Sequence, residues 1–252
     1  MTSAISPANP RLKARVAGLL YVALIGLGGF AEFFTRINLM VSGNAAATAA
    51  NIVKSQMLFR LGLAADIVGT ACYIAVTVIL YELFKPVSRS VSLLAAFFSL
   101  AGCVVLAANL VNHVAPMLLL GGTAYQNVFT PGQLDAMALT ALRLHAYGYN
   151  IAMVFFAVYC LLLGYLIIRS TFFPRLIGAL LVLAGLTDLS NSFSAFLALP
   201  IPYVGLPALI GEGSLALWLL AVGVNVQRWQ EQAGKSRWTT GSDEPKAQYG
   251  GA

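Results

Sequence analysis

Charge is what this chain has least of. Only 10% of its residues are Asp, Glu, Lys or Arg, where a soluble chain carries about 25%. With 59% of the residues hydrophobic, an ordinary water-soluble domain is excluded. Cysteines number three and histidines two. Cys72, Cys103 and Cys160 all fall inside apolar runs, so they read as small packing residues and form no visible disulfide framework. The sequence contains no CxxC or HExxH motif, no GxSxG elbow, no phosphate loop and no dinucleotide fingerprint. The formal net charge of +6 does not mark a nucleic-acid partner. Its basic residues are spread among the ends of apolar runs, as topology determinants are, and are not gathered on one phosphate-binding face.

What is present is a series of six apolar runs, over about 16–34, 59–84, 91–120, 147–168, 176–199 and 204–226. A helix crossing a bilayer needs roughly 20 such residues. The sequence therefore predicts an all-α fold: a polytopic integral membrane bundle of six transmembrane helices over residues 11–228. Residues 1–10 and 229–252 are polar and predicted to be disordered. The first run resembles the start of a signal peptide but lacks a small-residue cleavage site, so it is taken as an uncleaved span. Ser42 or Asn44 is placed to cap a short surface helix before the second span. Lys85-Pro86 ends that span, because proline cannot continue the hydrogen-bond ladder. Thr130-Pro131-Gly-Gln133 reads as the start of another surface helix, which runs into the fourth span with a bend near Gly148.

An even number of crossings puts both chain ends on one side. On that side lie Arg11, Lys13, Arg15, Lys85, Arg89, Arg169, Arg175, Arg228, Lys235, Arg237 and Lys246. Only Arg36, Lys54, Arg60 and Arg143 lie on the other. Positive residues are retained in the cytoplasm, so both termini are predicted to be cytoplasmic.

With that topology, the polar residues within the spans gather in the outer half of the bilayer. Glu32 closes the first span, Arg60 and Asp66 open the second, and Asn109, Asn112 and His113 end the third. His145, Tyr147, Tyr149 and Asn150 open the fourth, Asp188 and Asn191 lie late in the fifth, and Glu212 lies early in the sixth. Asn109, Asn112 and His113 share a face at i, i+3, i+4, and Asp66, Thr70, Tyr73 and Thr77 make a stripe. A charge at the centre of a membrane helix costs about 2.5–3.5 kcal/mol on insertion scales. The acids are therefore expected to face inward, pair with Arg60, Arg143 or the histidines, or hold a proton. Glu32 has a simpler partner in Arg36, one turn further on. Gly62 and Gly69, and Gly178 and Gly185, are positioned to let helices approach closely.

Five runs resemble one bacterial membrane-protein family. They are Asn44-Ala-Ala-Ala-Thr-Ala-Ala-Asn51-Ile, Leu58-Phe-Arg60-Leu-Gly, Leu144-His145-Ala-Tyr-Gly-Tyr149, Leu161-Leu-Leu-Gly-Tyr165 and Leu206-Pro207-Ala-Leu-Ile-Gly-Glu212. Together they are similar to the domain of unknown function 4386, over about residues 11–226. The resemblance implies an integral protein of the bacterial inner membrane and supplies no activity.

Three functional expectations follow. The first is a cavity open to the periplasm that binds, senses or transports a small or lipid-like ligand. In that reading Arg60 holds an anionic group, Asp66, Asp188 and Glu212 take cations or donate protons, and His145 and Tyr149 gate. Asn109, Asn112, His113, Asn191 and Glu32 complete the candidate lining. The second is an intramembrane enzyme on an apolar substrate, using buried carboxylates and histidines. His113 and His145 are the candidates there for haem iron or, with an acid, zinc, although no metal motif supports them and no cofactor is assigned. The third is a structural or regulatory subunit. The lipid bilayer is the one partner the sequence itself demands.

Overall fold

The computed structural model describes residues 9–240. Among these the chain is helical, with no strand. Pro10 opens α1 (Pro10–Gly29), where its missing N–H is no loss, and the Asn9 side chain accepts from Arg11 N. The helix then widens into a π segment, Phe30–Arg36, in which Ile37 N–H reaches back to Glu32 O, and ends in one turn, α2 (Ile37–Leu39). The Asn44 side chain caps α3 (Ala45–Lys54), as read from the sequence. Next come α4 (Gln56–Phe84), which stops before Pro86, and α5 (Arg89–Gly121), which carries Pro116 inside it. A single turn, α6 (Thr123–Gln126), precedes α7 (Pro131–Arg169). The capping box of Thr130 and Gln133 starts α7 as expected. No separate surface helix precedes the fourth span, because α7 runs unbroken through Gly148 to Arg169.

The last two bundle helices are α8 (Arg175–Phe196) and α9 (Leu206–Ala221). Five segments are long and apolar enough to cross a membrane: Pro10–Leu39, Gln56–Phe84, Arg89–Gly121, Pro131–Arg169 and Arg175–Phe196. The sixth run qualifies only when α9 is joined to the helix after it, and the two meet at 102°. At about 1.5 Å per residue, the 16 residues of α9 cover about 24 Å, short of a bilayer core of about 30 Å. That helix, α10 (Val226–Thr240), lies where the sequence predicted a disordered tail from 229. Residues 241–252 and 1–8 fall outside the described residues.

The bundle is organised on α7, which buries Ala152, Phe156, Tyr159, Cys160, Leu163 and Ile167 against α5 on one side and α8 on the other. Small residues set these crossings. A Cβ on Gly164 would lie 2.7 Å from Gly178 O, and one on Gly178 the same distance from Gly164 O. At Gly185 it would meet Ala157 O at 2.6 Å, and at Gly211 Leu180 O at 2.7 Å. Within lipid there is little hydrophobic drive between helices, so close backbone approach carries the packing. Gly69 is looser, with Leu27 Cβ at 3.8 Å.

One end of the bundle collects Phe84, Phe172 and Phe173, with ring centroids 5.6 and 5.4 Å from Phe84. Trp229 of α10 donates its indole N–H to Leu83 O at 2.9 Å across this end. Lys13 pairs with Glu82 here, and Gly223 packs on Arg11, so the starts of α1 and α10 lie together. A hollow of about 610 Å³ at this end is lined by Arg11, Phe172, Trp218 and Arg228 among others. The histidines and the Arg36 ion pairs lie at the opposite end.

Candidate functional site

Four elements converge at that opposite end. The π segment presents Glu32 and Arg36 one turn apart, and Arg36 Nε donates to Glu32 Oε2 at 2.7 Å. The second arm of the same guanidinium reaches α4, where Nη1 donates to Asp66 Oδ2 at 2.6 Å. Arg36 is 9% exposed, so one buried cation joins two carboxylates from two helices. The backbones come close because Gly62 on α4 leaves room for Thr35, whose Oγ1 would lie 2.6 Å from a Cβ there. Asp66 was expected to need a partner on another helix, and Arg36 is that partner. Neither arginine named for that role supplies it: Arg60 and Arg143 are exposed and make no ion pair among the described residues.

Beside Asp66 stand the two histidines. His113 on α5 is fully buried, stacks on Phe59 at 4.2 Å and donates Nε2–H to Phe59 O at 3.1 Å. His145 on α7 is 3% exposed, with Nδ1 3.3 Å from Asn109 O. Asn109 returns its amide to His145 O at 2.8 Å, and Asn112 donates to Asn109 Oδ1 at 2.9 Å. Gly148 makes this exchange possible, since any Cβ there would overlap the Asn109 side chain. The two imidazole rings are 5.7 Å apart and nearly perpendicular. One donor atom each from Asp66, His113 and His145 lies within 4.8 Å of the other two. Pro116, one turn beyond Asn112, has no N–H to give the Asn112 carbonyl.

A second group lies across α7, α8 and α9. Asp188 is 7% exposed and makes no ion pair among the described residues. Asn191 grips the loop before α9 with both ends of its amide, donating to Val204 O at 2.9 Å and accepting from Val204 N–H at 3.1 Å. Glu212 accepts from the Cys160 thiol at 3.5 Å and likewise has no cationic partner. Cys160 sits well inside α7, so Glu212 lies nearer mid-bundle than a count from Val204 suggests. Tyr149, half-exposed, is within electrostatic reach of Tyr203, Glu32, Asp188 and Glu212. In the loop, desolvation and then the charges of Asp188 and Glu32 push the Tyr203 hydroxyl above its ordinary pKa.

Below the second group is a feature that sequence reasoning missed. Tyr21, Tyr73 and Tyr159, from α1, α4 and α7, bury their hydroxyls around Glu212 and Cys160. Tyr73 touches the other two rings at centroid distances of 5.9 and 6.1 Å. Tyrosine in an apolar run reads as an interfacial anchor, so only the bundle's assembly reveals this cluster. The polar stripe on α4 does face inward, with Thr70 on Asp66 O at 2.8 Å and Thr77 on Ser99 Oγ at 2.6 Å. Of the sequence candidates, Glu32, Asp66, Asn109, Asn112, His113 and His145 form the first group, and Tyr149, Asp188, Asn191 and Glu212 the second. Arg60 joins neither.

A protein of the archaeon Archaeoglobus fulgidus described as uncharacterised is 26% identical over 151 residues, which is 60% of this chain and 76% of that one. No solved structure matches the chain. The model of the domain of unknown function DUF4386 matches residues 16–223, nearly the whole bundle. The chain belongs to the DUF4386 family.

Proposed function

We propose that this protein binds a small cationic ligand in its polar cleft, as a transporter, sensor or carrier of the bacterial inner membrane. The observation that carries the reading is the state of Asp188 and Glu212, two inward-facing carboxyls with no positive partner among the described residues. Arg36 is already committed to Glu32 and Asp66, so nothing nearby neutralises the other two. Ionisable groups inside a membrane bundle are expensive and usually mark a ligand or ion path. Tyr149 and Tyr203 add aromatic faces, which attract organic cations. An anionic ligand held by Arg60 loses support, since that residue is exposed. The bias of basic residues towards the terminal end supports a cleft that opens to the periplasm, with both termini cytoplasmic.

The test uses purified protein in mild detergent with a series of quaternary ammonium ions of increasing size. A ligand that binds the native state at about 100 times its Kd stabilises it by about 2.7 kcal/mol. One or more members of the series should raise the unfolding midpoint of the wild type, and Asp188→Asn with Glu212→Gln should abolish the rise. Equal responses in wild type and variant, or none in either, overturn the proposal in favour of a structural role.

A further inference from the structure

One histidine tautomer is fixed by its hydrogen bond. His113 Nε2 faces the Phe59 carbonyl. A carbonyl only accepts, so that nitrogen carries the proton and His113 Nδ1 is left as a lone-pair acceptor. His145 Nδ1 lies 3.3 Å from both the backbone carbonyl oxygen and the side-chain amide nitrogen of Asn109, so it either donates to the carbonyl or accepts the second N–H of the amide. In the donating form its Nε2 is a lone-pair acceptor as well. His113 Nδ1 is fully buried and has no hydrogen-bond partner.

An orphaned lone pair of this kind is costly in a packed interior, and a proton donor is what a structural histidine would have found. Instead, the ring stands in a cluster of ligand-type groups: one ligand atom each from His113, His145 and Asp66 lies within 4.8 Å of the other two. Imidazoles that bind metals almost always give their second N–H to a carbonyl or carboxylate, which fixes ring and tautomer. His113 has that arrangement, and His145 has it in the form that donates Nδ1–H to Asn109 O.

We propose that Asp66, His113 and His145 bind a divalent transition-metal ion of the zinc type, with a fourth position open to water or a ligand. Two imidazoles and one carboxylate are the donor set of many such open sites. Charge is compatible. Glu32 offsets Arg36, and the Asp66 charge remains for the ion. The Arg36 bond to Asp66 Oδ2 then orients the carboxylate from behind. Donors around tetrahedral zinc stand about 3.3 Å apart. The 4.8 Å limit therefore asks for side-chain adjustments of about 1.5 Å at most.

The site does not depend on the cation reading above, which uses Asp188 and Glu212. Its test is the metal content and Co(II) spectrum of the full chain in detergent, after loading with Co(II) or Zn(II) and removal of the excess. The expected result is about one ion per chain, with visible Co(II) bands of tetrahedral intensity that zinc displaces. Asp66→Asn, His113→Asn and His145→Asn should each reduce the content to background, and Asp135→Asn should leave it unchanged. Because a variant could misfold, X-ray absorption at the zinc edge of the wild type provides a second reading, with two imidazoles and no sulfur expected. Substoichiometric metal in the wild type, sulfur ligation, or full content in all three folded variants overturns the site.

Discussion

Arg36 Nη1 and Asp66 Oδ2 meet at 2.6 Å, joining the end of the first spanning helix to the start of the second. Both side chains are largely buried, with exposures of 10% and 13%, whereas Glu32 on the other arm of Arg36 is 48% exposed. The two ion pairs are therefore unequal. Removing one partner of a buried pair strands a charge and costs about 3–5 kcal/mol. An exposed pair is worth about 0–1 kcal/mol.

Arg36→Met should accordingly destabilise the bundle by about 3 kcal/mol, and Glu32→Gln by less than about 1 kcal/mol. The double variant Arg36→Met with Asp66→Leu should lose less than the sum of its single changes. Unfolding in detergent followed by circular dichroism measures all of these, and equal costs for the two partners of Arg36 would contradict the ranking.

Gly148 offers a test of the histidine environment that leaves both imidazoles in place. A methyl there overlaps the Asn109 side chain, so Gly148→Ala must expel that amide from His145 O. Overpacking of this kind costs typically about 1–3 kcal/mol. The companion change Asn109→Ala should relieve the crowding and return part of the stability. A fully additive pair would rule out the contact.

The crossing of α7 and α8 should be equally intolerant. Gly164→Val places atoms against Gly178 O and Val182, and no flexible side-chain end is there to yield at the carbonyl. The expected outcome is a loss of about 3 kcal/mol or failure to accumulate in the membrane. Gly213→Ala, where a Cβ meets nothing within 4 Å, is the matched control and should be near neutral.

Topology can be checked directly. If the basic residues hold that end in the cytoplasm as proposed, a fluorescent protein fused after Ala252 should fold and glow, and alkaline phosphatase fused at the same point should be inactive. The reverse pattern would put the histidine end of the bundle in the cytoplasm and overturn the proposed orientation. Trp229→Ala should release α10 from Leu83 and speed its cleavage by trypsin in detergent, with the bundle itself still protected.

The helices themselves were legible in the sequence, because apolar length and end signals are local properties. Asn44, the Thr130 and Gln133 pair and Pro86 each act within a few residues, and each did what its chemistry indicates. Facing was also legible: a 3.6-residue period puts Asn109, Asn112 and His113 on one side whatever surrounds them. Which helix stands opposite is not a local property. Asp66 clearly required a cation, but nothing in the order of residues distinguishes Arg36 from Arg60 as its partner. The choice depends on Thr35 fitting against Gly62, a contact between two helices. The tyrosine trio escaped for the same reason, being drawn from three spans. The depth of Glu212 also escaped, because it depends on how α9 packs against α1 and α8.

The π segment at Phe30–Arg36 has one more implication. A π turn takes up an extra residue within a helix, and such single widened turns are frequent at functional sites. Deleting one residue between Phe30 and Phe34 would let the backbone relax to ordinary α geometry and still cross the bilayer. The turns on either side would keep their orientation, because the residue removed is the one the wide turn had taken up, and only the side chains within Phe30–Arg36 would change direction. The fold of the first helix and the aim of its guanidinium are thus separately encoded, and a one-residue change can alter the second while sparing the first.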